Sequence, residues 1–317
     1  MSDNKNGISV IVPFLNEESA IPIFCETMDS YVEKLSFPVE FVFVNDGSDD
    51  RSEELLKAYS FNNVKHAKIV SLSRNFGSHA AVRAGIANSE YDICVCFGMD
   101  LQEPLDIIPI SFDKIACGNA DAVYFEKRTV KVSKLNRLFS KIYSYLMRKY
   151  AVSSYSSDGT ATIAFGPKIK KLLNENVEAN SSYMLQIMDA GFRYETVPLD
   201  YNERSAGTSK WTFSKKVKLF IDSFVSYSFM PIRLVSIVGI IIFIIGLIIG
   251  ANAFVNKLMN PNVPLGYSTI TCILALGFGL TNISLGIIAE YLWRTYDAAR
   301  KRPVFIVSDV VDIKAGQ

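Results

Sequence analysis

The chain has 317 residues, enough for one large domain or two domains of ordinary size. Its 33 basic and 32 acidic residues nearly cancel, so no overall field would attract nucleic acid, and nucleic acid is not an expected partner. Residues 1–212 have the composition of a soluble domain, whereas residues 231–292 hold two long apolar runs. The five cysteines show no paired pattern, which is typical of a domain in a reducing cytosol.

Short apolar strands alternate with amphipathic helices through the first hundred residues. Each strand is a continuous apolar run, as expected for a strand buried on both faces. This alternation predicts an α/β domain with a parallel, doubly wound, Rossmann-like sheet. The predicted strands are 8–12, 39–44, 67–72 and 93–97, and helices follow the first three near residues 21–35, 52–59 and 79–87.

Each of these four strands is followed by polar residues. Because the carboxyl ends of parallel strands meet at one edge of a sheet, these residues predict a nucleotide-binding cleft at that edge. No G-x-G-x-x-G follows the first strand, which argues against a nicotinamide oxidoreductase. The residues at the four strand ends are Asn16 and Glu17, Asp46 and Ser48, Arg74 and Asn75, and Asp100 and Gln102.

The fourth strand end offers the oxygen ligands that hard divalent cations prefer. Asp100 and Gln102 suit Mg²⁺ or Mn²⁺ carrying a diphosphate. The alternative is that Asp100 only caps a helix that starts near Glu103.

The rest of the first domain is predicted to continue the α/β pattern. The basic residues of a helix over 131–150 are also compatible with a solvated helix face. A loop of small residues, 153–159, carries Asp158, and a polar loop, 202–211, carries two cations and several hydroxyls. The remaining predicted elements are strands at 121–125, 160–165 and 194–199 and helices at 167–176 and 181–190.

Most of the C-terminal third is predicted to lie in a membrane rather than in water. Residues 213–230 have the pattern of an amphipathic helix at a membrane interface, and the uncharged runs 234–254 and 265–289 are each long enough to span a hydrocarbon core of about 30 Å. Basic residues flank this pair on its outer sides, which predicts a membrane hairpin (residues 231–292) with both ends cytoplasmic. Residues 293–317 would form a cytoplasmic tail, and the alternative is a buried helical pair in a soluble protein.

Five segments of the chain together form a recognisable pattern. They are 12–17 (VPFLNE), 44–48 (VNDGS), 72–77 (LSRNFG), 100–104 (DLQEP) and 203–211 (ERSAGTSKW), followed by Arg302-Pro303 after the second apolar run. With these segments the chain resembles the inverting glycosyltransferases with the nucleotide-sugar transferase (GT-A) fold, in the membrane-anchored polyprenyl-phosphate branch. Bactoprenol-phosphate glucosyltransferases and dolichyl-phosphate mannose synthases belong to that branch.

The resemblance implies an activity and a location. It implies transfer of a single hexose from a nucleotide diphosphate sugar, UDP-glucose-like, to undecaprenyl phosphate, with inversion and with Mg²⁺ or Mn²⁺. The lipid-linked sugar would serve cell-surface glycan modification, and the enzyme would be a multi-pass protein of the cytoplasmic (inner) membrane. The resemblance also implies a homo-oligomer, a tetramer. The alternatives are a sugar-nucleotide-binding pseudoenzyme or membrane scaffold, and a transferase that acts directly on a glycan.

The resemblance also assigns roles to residues. Asp100 and Gln102 would bind the metal, Asp100 and Asp158 are the catalytic candidates, and Arg74 would either brace the site or contact the ligand. The nucleotide sugar would be held by Pro13, Asn16, Glu17, Asp46, Ser48 and Gln102. The phosphates and the acceptor would be held by Arg128, Arg204, Ser209 and Lys210.

One position departs from the family. Relatives carry Asp-x-Asp where this chain has Gly98-Met99-Asp100, so one carboxylate is missing. Either Asp100, the diphosphate and waters hold the metal, or metal binding is weaker, or the donor preference has changed. Because Mg²⁺ keeps several waters and needs only one or two carboxylates, loss of activity does not follow.

Overall fold

A computed structural model describes residues 7–128, 134–150, 152, 155, 160–178, 182–202, 266–300 and 302–313, together with 235, 237–242, 244–245, 248, 251–252, 255 and 259. The chain divides into two compact units. One unit comprises Met1–Ser223 with Pro303–Gln317, and the other comprises Phe224–Arg302. Of the sequence predictions, the interfacial helix 213–230 lies outside the described residues, and the first apolar run, 234–254, is described only in part.

The first unit is built on one eight-stranded sheet of strand order β7-β5-β6-β4-β1-β2-β3-β8. The pairs β1–β2, β1–β4, β2–β3 and β5–β7 are parallel, whereas β6 is antiparallel to β4 and β5, and β8 is antiparallel to β3. The strands are β1 Ile8–Phe14, β2 Val39–Asn45, β3 His66–Leu72, β4 Ile93–Cys96, β5 Ala122–Lys127, β6 Thr160–Phe165, β7 Tyr194–Leu199 and β8 Val307–Asp312.

Seven described helices accompany this sheet. Helix α1 carries a proline in its first turn, where the missing N–H costs nothing. The helices are α1 Ile21–Val32, α2 Ser52–Ala58, α3 Ser78–Asn88, α4 Ile107–Ala116, α5 Lys134–Tyr150, α6 Pro167–Glu175 and α7 Tyr183–Asp189.

The core lies between helix α1 and the centre of the sheet. The ring of Phe24 on α1 is fully buried. It makes edge-to-face contacts with the rings of Phe41, Phe43 and Phe97, at centroid distances of 6.2, 5.9 and 6.3 Å. Full burial of a phenylalanine side chain stabilises a fold by about 1.5–3 kcal/mol. This packing ties helix α1 to strand β2 and to the residue that follows β4, so the loops after these strands start from a rigid base.

The predicted α/β class and the parallel order of the first four strands are confirmed. The sheet as a whole is mixed rather than parallel, since β6 and β8 run against their neighbours. Strand direction is set by the connections and not by the apolar pattern, so the sequence of 160–165 does not reveal it. The predicted tail contains β8, which covers the edge of the buried strand β3.

The second unit is described chiefly by one long helix, α8, over Tyr267–Ala299. This helix covers nearly all of the second apolar run, 265–289, predicted from the sequence. Within the described part of the chain, no helix combines the length and the apolar character needed to span a bilayer.

Candidate active site

The carboxyl ends of β4, β1, β2 and β3 lie side by side along one edge of the sheet. The structure therefore brings together the polar residues that the sequence places after these four strands. This row of loops is the candidate active site.

The loops after β1 and β2 are joined by reciprocal hydrogen bonds. The Asn16 N–H donates to Ser48 Oγ at 3.0 Å, and the Asp49 N–H donates to Asn16 Oδ1 at 2.9 Å. A third bond runs from the Glu17 N–H to Ser52 Oγ at 2.8 Å. Asn16 has φ +53°, a left-handed conformation that asparagine tolerates better than most residues. Pro13 is the sixth of the seven residues of β1, so it lies close to the start of this loop.

Asp46 joins the loop after β2 to the loop after β3. Its Oδ1 accepts the Phe76 N–H at 2.7 Å and its Oδ2 accepts the Gly77 N–H at 2.9 Å. The side chain is buried, and burial raises the pKa of Asp46, although the two N–H donors and the Arg74 cation act in the opposite direction. Asp46 is thus a structural anchor as well as a candidate ligand.

Gly47 permits the close approach of these two loops. It has φ +75°, and a Cβ on it would lie 2.7 Å from the Arg74 carbonyl carbon and 2.7 Å from the Asn75 nitrogen. Any larger residue would push the loops apart. The Arg74 guanidinium stacks over the Phe76 ring at 4.1 Å and donates to the Asn75 carbonyl at 3.2 Å, so both contacts lie within its own loop.

The loop after β4 is a tight turn that carries Asp100 and Gln102. The Gln102 amide nitrogen donates to Asp100 Oδ2 at 2.5 Å, so Gln102 orients Asp100 in this arrangement. Leu101 has φ +53°, and the turn is held from outside by Asn202, whose N–H donates to the Gln102 carbonyl at 2.9 Å. The end of β7 therefore fixes the position of this turn.

Glu103 folds back beneath the same turn. Its Oε2 accepts the Gly98 N–H at 3.1 Å. Burial raises the pKa of Glu103; the Gly98 N–H and the Lys127 ammonium act against this rise, whereas the Asp100 carboxylate adds to it. A second carboxylate thus lies close to Asp100, at a position where the sequence predicts only the start of a helix. The only sequence signal for this contact is a glycine five residues before a glutamate. That spacing is too common to predict a contact unless the conformation of the turn is known.

Arg128 lies just beyond the end of β5 and is largely exposed. Its Nη1 approaches Asp200 Oδ2 at 3.4 Å, its Nη2 donates to the Pro198 carbonyl at 3.3 Å, and its backbone N–H donates to the Leu199 carbonyl at 2.9 Å. These contacts tie the guanidinium to the end of β7, which also holds the Asp100 turn.

Comparison with known proteins decides the family. The sequence profile of Glycosyl transferase family 2 matches residues 9–175, more than half of the chain. The chain belongs to glycosyl transferase family 2. It is a glycosyltransferase, and the resemblance that the five segments carry is confirmed.

Several relatives of this family 2 enzyme match over nearly their full length. An Escherichia coli (strain K12) protein named prophage bactoprenol glucosyl transferase homolog is 32% identical, over 96% of this chain and 99% of its own. The bactoprenol glucosyl transferase of Shigella phage SfV is 30% identical, over 95% and 98%. The undecaprenyl-phosphate 4-deoxy-4-formamido-L-arabinose transferase of Pectobacterium carotovorum is 29% identical, over 98% and 95%.

Among solved structures, the chain is similar to a mannosyltransferase from Pyrobaculum calidifontis in complex with GDP-Man and Mn²⁺. The two share 15% identity with a TM-score of 0.45, over 93% of this chain and 75% of the other.

Four of the predicted site residues of this family 2 enzyme lie outside the described residues: Asp158, Arg204, Ser209 and Lys210. Their roles stay predictions. In the described ranges, no three His, Cys, Asp or Glu side chains are grouped so that they could hold a metal ion.

Proposed function

We propose that this enzyme transfers one hexose from a nucleotide diphosphate sugar, UDP-glucose-like, to a polyprenyl phosphate at the cytoplasmic face of a membrane. The observation that carries this proposal is the match, over nearly the full length, to relatives named for transfer to undecaprenyl phosphate or for bactoprenol glucosylation. The row of polar strand ends supports it, because such an edge is where open α/β sheets bind ligands.

The joined loops after β1, β2 and β3 would hold the nucleoside. Their hydrogen bonds preorganise Asn16, Glu17 and Ser48 before the donor arrives. Pro13 is held in β1, just before these residues. Asp46 is already bonded to two backbone N–H groups. A carboxylate offers about four lone-pair sites, so each oxygen of Asp46 retains capacity for a ligand N–H or hydroxyl.

Asp100, oriented by Gln102, would hold Mg²⁺ or Mn²⁺ with the donor diphosphate. The donor set of hard oxygen atoms fits such an ion, and carboxylate oxygens of Asp100 and Glu103 lie together beside Gly98. When bound, a divalent ion would neutralise negative charge on the diphosphate leaving group.

The acceptor needs positioning more than activation. By analogy with phosphorylated side chains, a phosphate monoester has a second pKa near 6, so it is largely a dianion and a nucleophile at neutral pH. Arg128 with Arg204, Ser209 and Lys210 would bring two anionic phosphates together and align one oxygen for inverting attack on the anomeric carbon. Asp158 would position the acceptor or take up a proton.

Association with a membrane follows from the proposed acceptor, which is a lipid. The described part of α8 supports it, because large apolar side chains along this helix are exposed within the chain. They include Ile270, Leu274, Phe278, Ile283, Leu285, Ile288, Leu292 and Trp293, each at least half exposed. The membrane hairpin over 231–292 and the tetramer remain part of the proposal.

The test is a transfer assay with membranes that contain the full chain. Radiolabelled UDP-glucose, UDP-galactose, UDP-N-acetylglucosamine and GDP-mannose are each incubated with undecaprenyl phosphate, with and without Mn²⁺. We expect labelled glycolipid from one donor, its loss in Asp100→Ala, and its retention in the matched control Asp113→Ala on the exposed side of α4. No glycolipid from any donor would overturn the proposal, and labelled polymer in its place would indicate a transferase that acts on a glycan.

A further inference from the structure

The space beside Gly98 is bounded by two carboxylates. A Cβ atom placed on Gly98 would lie 2.8 Å from Asp100 Oδ1, 3.0 Å from Glu103 Oε2 and 3.6 Å from Glu103 Oε1. The first two distances are shorter than nearly all contacts of real Cβ atoms, so a side chain at position 98 would displace the carboxylate of Asp100 or of Glu103. The two acids therefore border one point, next to the turn that carries the candidate metal ligands.

The backbone does not require glycine at position 98. The described glycines with positive φ are Gly47, Gly77, Gly118 and Gly191, and Gly98 is not among them. Because glycine has no side chain, the Glu103 carboxylate can lie directly beside residue 98. The Gly98 N–H donates to Glu103 Oε2 at 3.1 Å and holds the carboxylate in place.

We propose that Glu103 supplies the second carboxylate of the metal-binding edge, in the space that a side chain at position 98 would fill, so that Gly98 and Glu103 depend on each other. This proposal depends on the proposed function, since it concerns the ion that would accompany the donor diphosphate. It identifies a chain position that compensates for the missing acid of the Asp-x-Asp pattern.

The electrostatics of the turn favour this assignment. Asp100 and Glu103 are like charges beside one point, and such pairs are stabilised by a cation between or beside them. Lys127 attracts Glu103 but its ammonium lies over the Tyr201 ring, 4.7 Å from the ring centroid. A divalent ion with one or two carboxylates, waters and a diphosphate is the usual arrangement for Mg²⁺.

The simplest competing explanation is that Glu103 only caps the turn by accepting the Gly98 N–H. Glu103→Gln separates the two explanations, because the glutamine carbonyl oxygen can still accept that N–H while the negative charge is gone. A cap alone would leave metal affinity unchanged in this variant.

The experiment measures Mn²⁺ binding by electron paramagnetic resonance, using the full-length enzyme with saturating UDP and, separately, GDP. We expect Glu103→Gln to weaken Mn²⁺ binding by about ten- to a hundredfold, with an unfolding temperature close to that of the wild type. The matched control is Glu26→Gln, an exposed glutamate on α1, which should bind Mn²⁺ like the wild type.

The dependence between the two positions is tested by restoring the family pattern. Gly98→Asp alone should lower the unfolding temperature and leave Mn²⁺ binding no tighter, because Glu103 occupies the space. Gly98→Asp combined with Glu103→Ala should recover near wild-type Mn²⁺ affinity, since the carboxylate is returned at the other position.

Three results would overturn the inference: wild-type affinity in Glu103→Gln, a Gly98→Asp protein as stable and tightly binding as the wild type, or no Mn²⁺ binding by the wild type with either nucleotide. The transfer assay is run on the same preparations. Failure to form glycolipid with Mn²⁺ bound as expected would reject the proposed acceptor, whereas glycolipid formation that is indifferent to Glu103 and to Mn²⁺ would reject this inference alone.

Discussion

The carboxylate of Asp46 accepts the backbone N–H of Gly77 at 2.9 Å, which joins the end of β2 to the start of α3. The same carboxylate accepts the Phe76 N–H, and the Asp46 N–H donates to the Phe14 carbonyl at 3.0 Å. One residue therefore connects the loops that follow β1, β2 and β3. A nucleotide that binds along these loops meets a surface already ordered, which lowers the entropic cost of binding.

Replacing Asp46 by asparagine should lower stability as well as activity. The amide keeps one acceptor oxygen but turns an NH₂ group toward the other backbone N–H, which leaves that donor unsatisfied. An unsatisfied buried group costs about 1–3 kcal/mol. We expect Asp46→Asn to lower the urea midpoint of the full chain accordingly. Asp113→Asn, an exposed acid on α4, is the control, and equal midpoints for the two variants would show that the anchor is not structural.

The buried pair Lys68–Glu40 lies at the opposite end of the sheet, near the start of β2 and β3. Glu40 is fully buried, and Lys68 Nζ lies 3.0 Å from its Oε1. Removing one partner of a buried pair typically costs about 3–5 kcal/mol, because the other charge is left unpaired. We expect Lys68→Met to be destabilised by this amount in thermal or urea unfolding.

The control for this pair is Glu90→Gln. The Glu90 carboxylate also approaches Lys68, at 2.9 Å, but its side chain is 43% exposed. An exposed pair contributes about 0–1 kcal/mol, so this variant should be nearly neutral. Equal losses of stability in the two variants would mean that the buried Lys68–Glu40 contact contributes no more than the exposed Lys68–Glu90 contact.

The pH dependence of stability should involve Asp121. Lys168 and Arg193 lie 2.9 and 3.2 Å from its carboxylate oxygens, and they lower its pKa in the folded state. A carboxyl whose folded pKa is lowered stabilises the fold above its unfolded pKa, near 3.9, and this contribution is lost as the pH falls through the folded value. Both cations are largely exposed, so each contact is worth at most about 1 kcal/mol.

Asp121→Asn removes this contribution. We expect the wild type to be more stable than Asp121→Asn at pH 6, and the difference to shrink steadily from about pH 5 downwards. Urea unfolding at a series of pH values measures it. A difference between the two proteins that stays constant down to pH 2.5 would mean that Asp121 is not titrating in this range.

The sequence predicts the centre of the sheet and the polar strand ends because both depend on local pattern. Buried runs such as 39–44 and the acids that follow them are contiguous in the chain, and parallel order follows from the helices between them. Glu103 was not predicted as a site residue. Its position beside Gly98 depends on the turn at Leu101, which has φ +53°. This turn brings Glu103, five residues after Gly98, back to the Gly98 N–H.

The sequence does not predict strand β8, for a related reason. Its sequence, VSDVVD, is short and carries two acids, and its partner β3 lies more than 230 residues earlier in the chain. Pairing of this kind is a tertiary event that periodicity does not encode. The acids are tolerated because β8 is an edge strand with one face exposed.

The contribution of this C-terminal segment can be measured with two substitutions a few residues apart. Ile313 follows β8 directly, is 5% exposed within the core, and its N–H donates to the Ala67 carbonyl at 2.8 Å. Ile313→Ala should cost about 2–5 kcal/mol, since it removes buried methyl groups and leaves a cavity. Val310, in β8, is 46% exposed, and Val310→Ala should stay within about 0.5 kcal/mol of the wild type. Equal unfolding midpoints for the two variants would mean that this segment covers the edge of β3 without adding to the core.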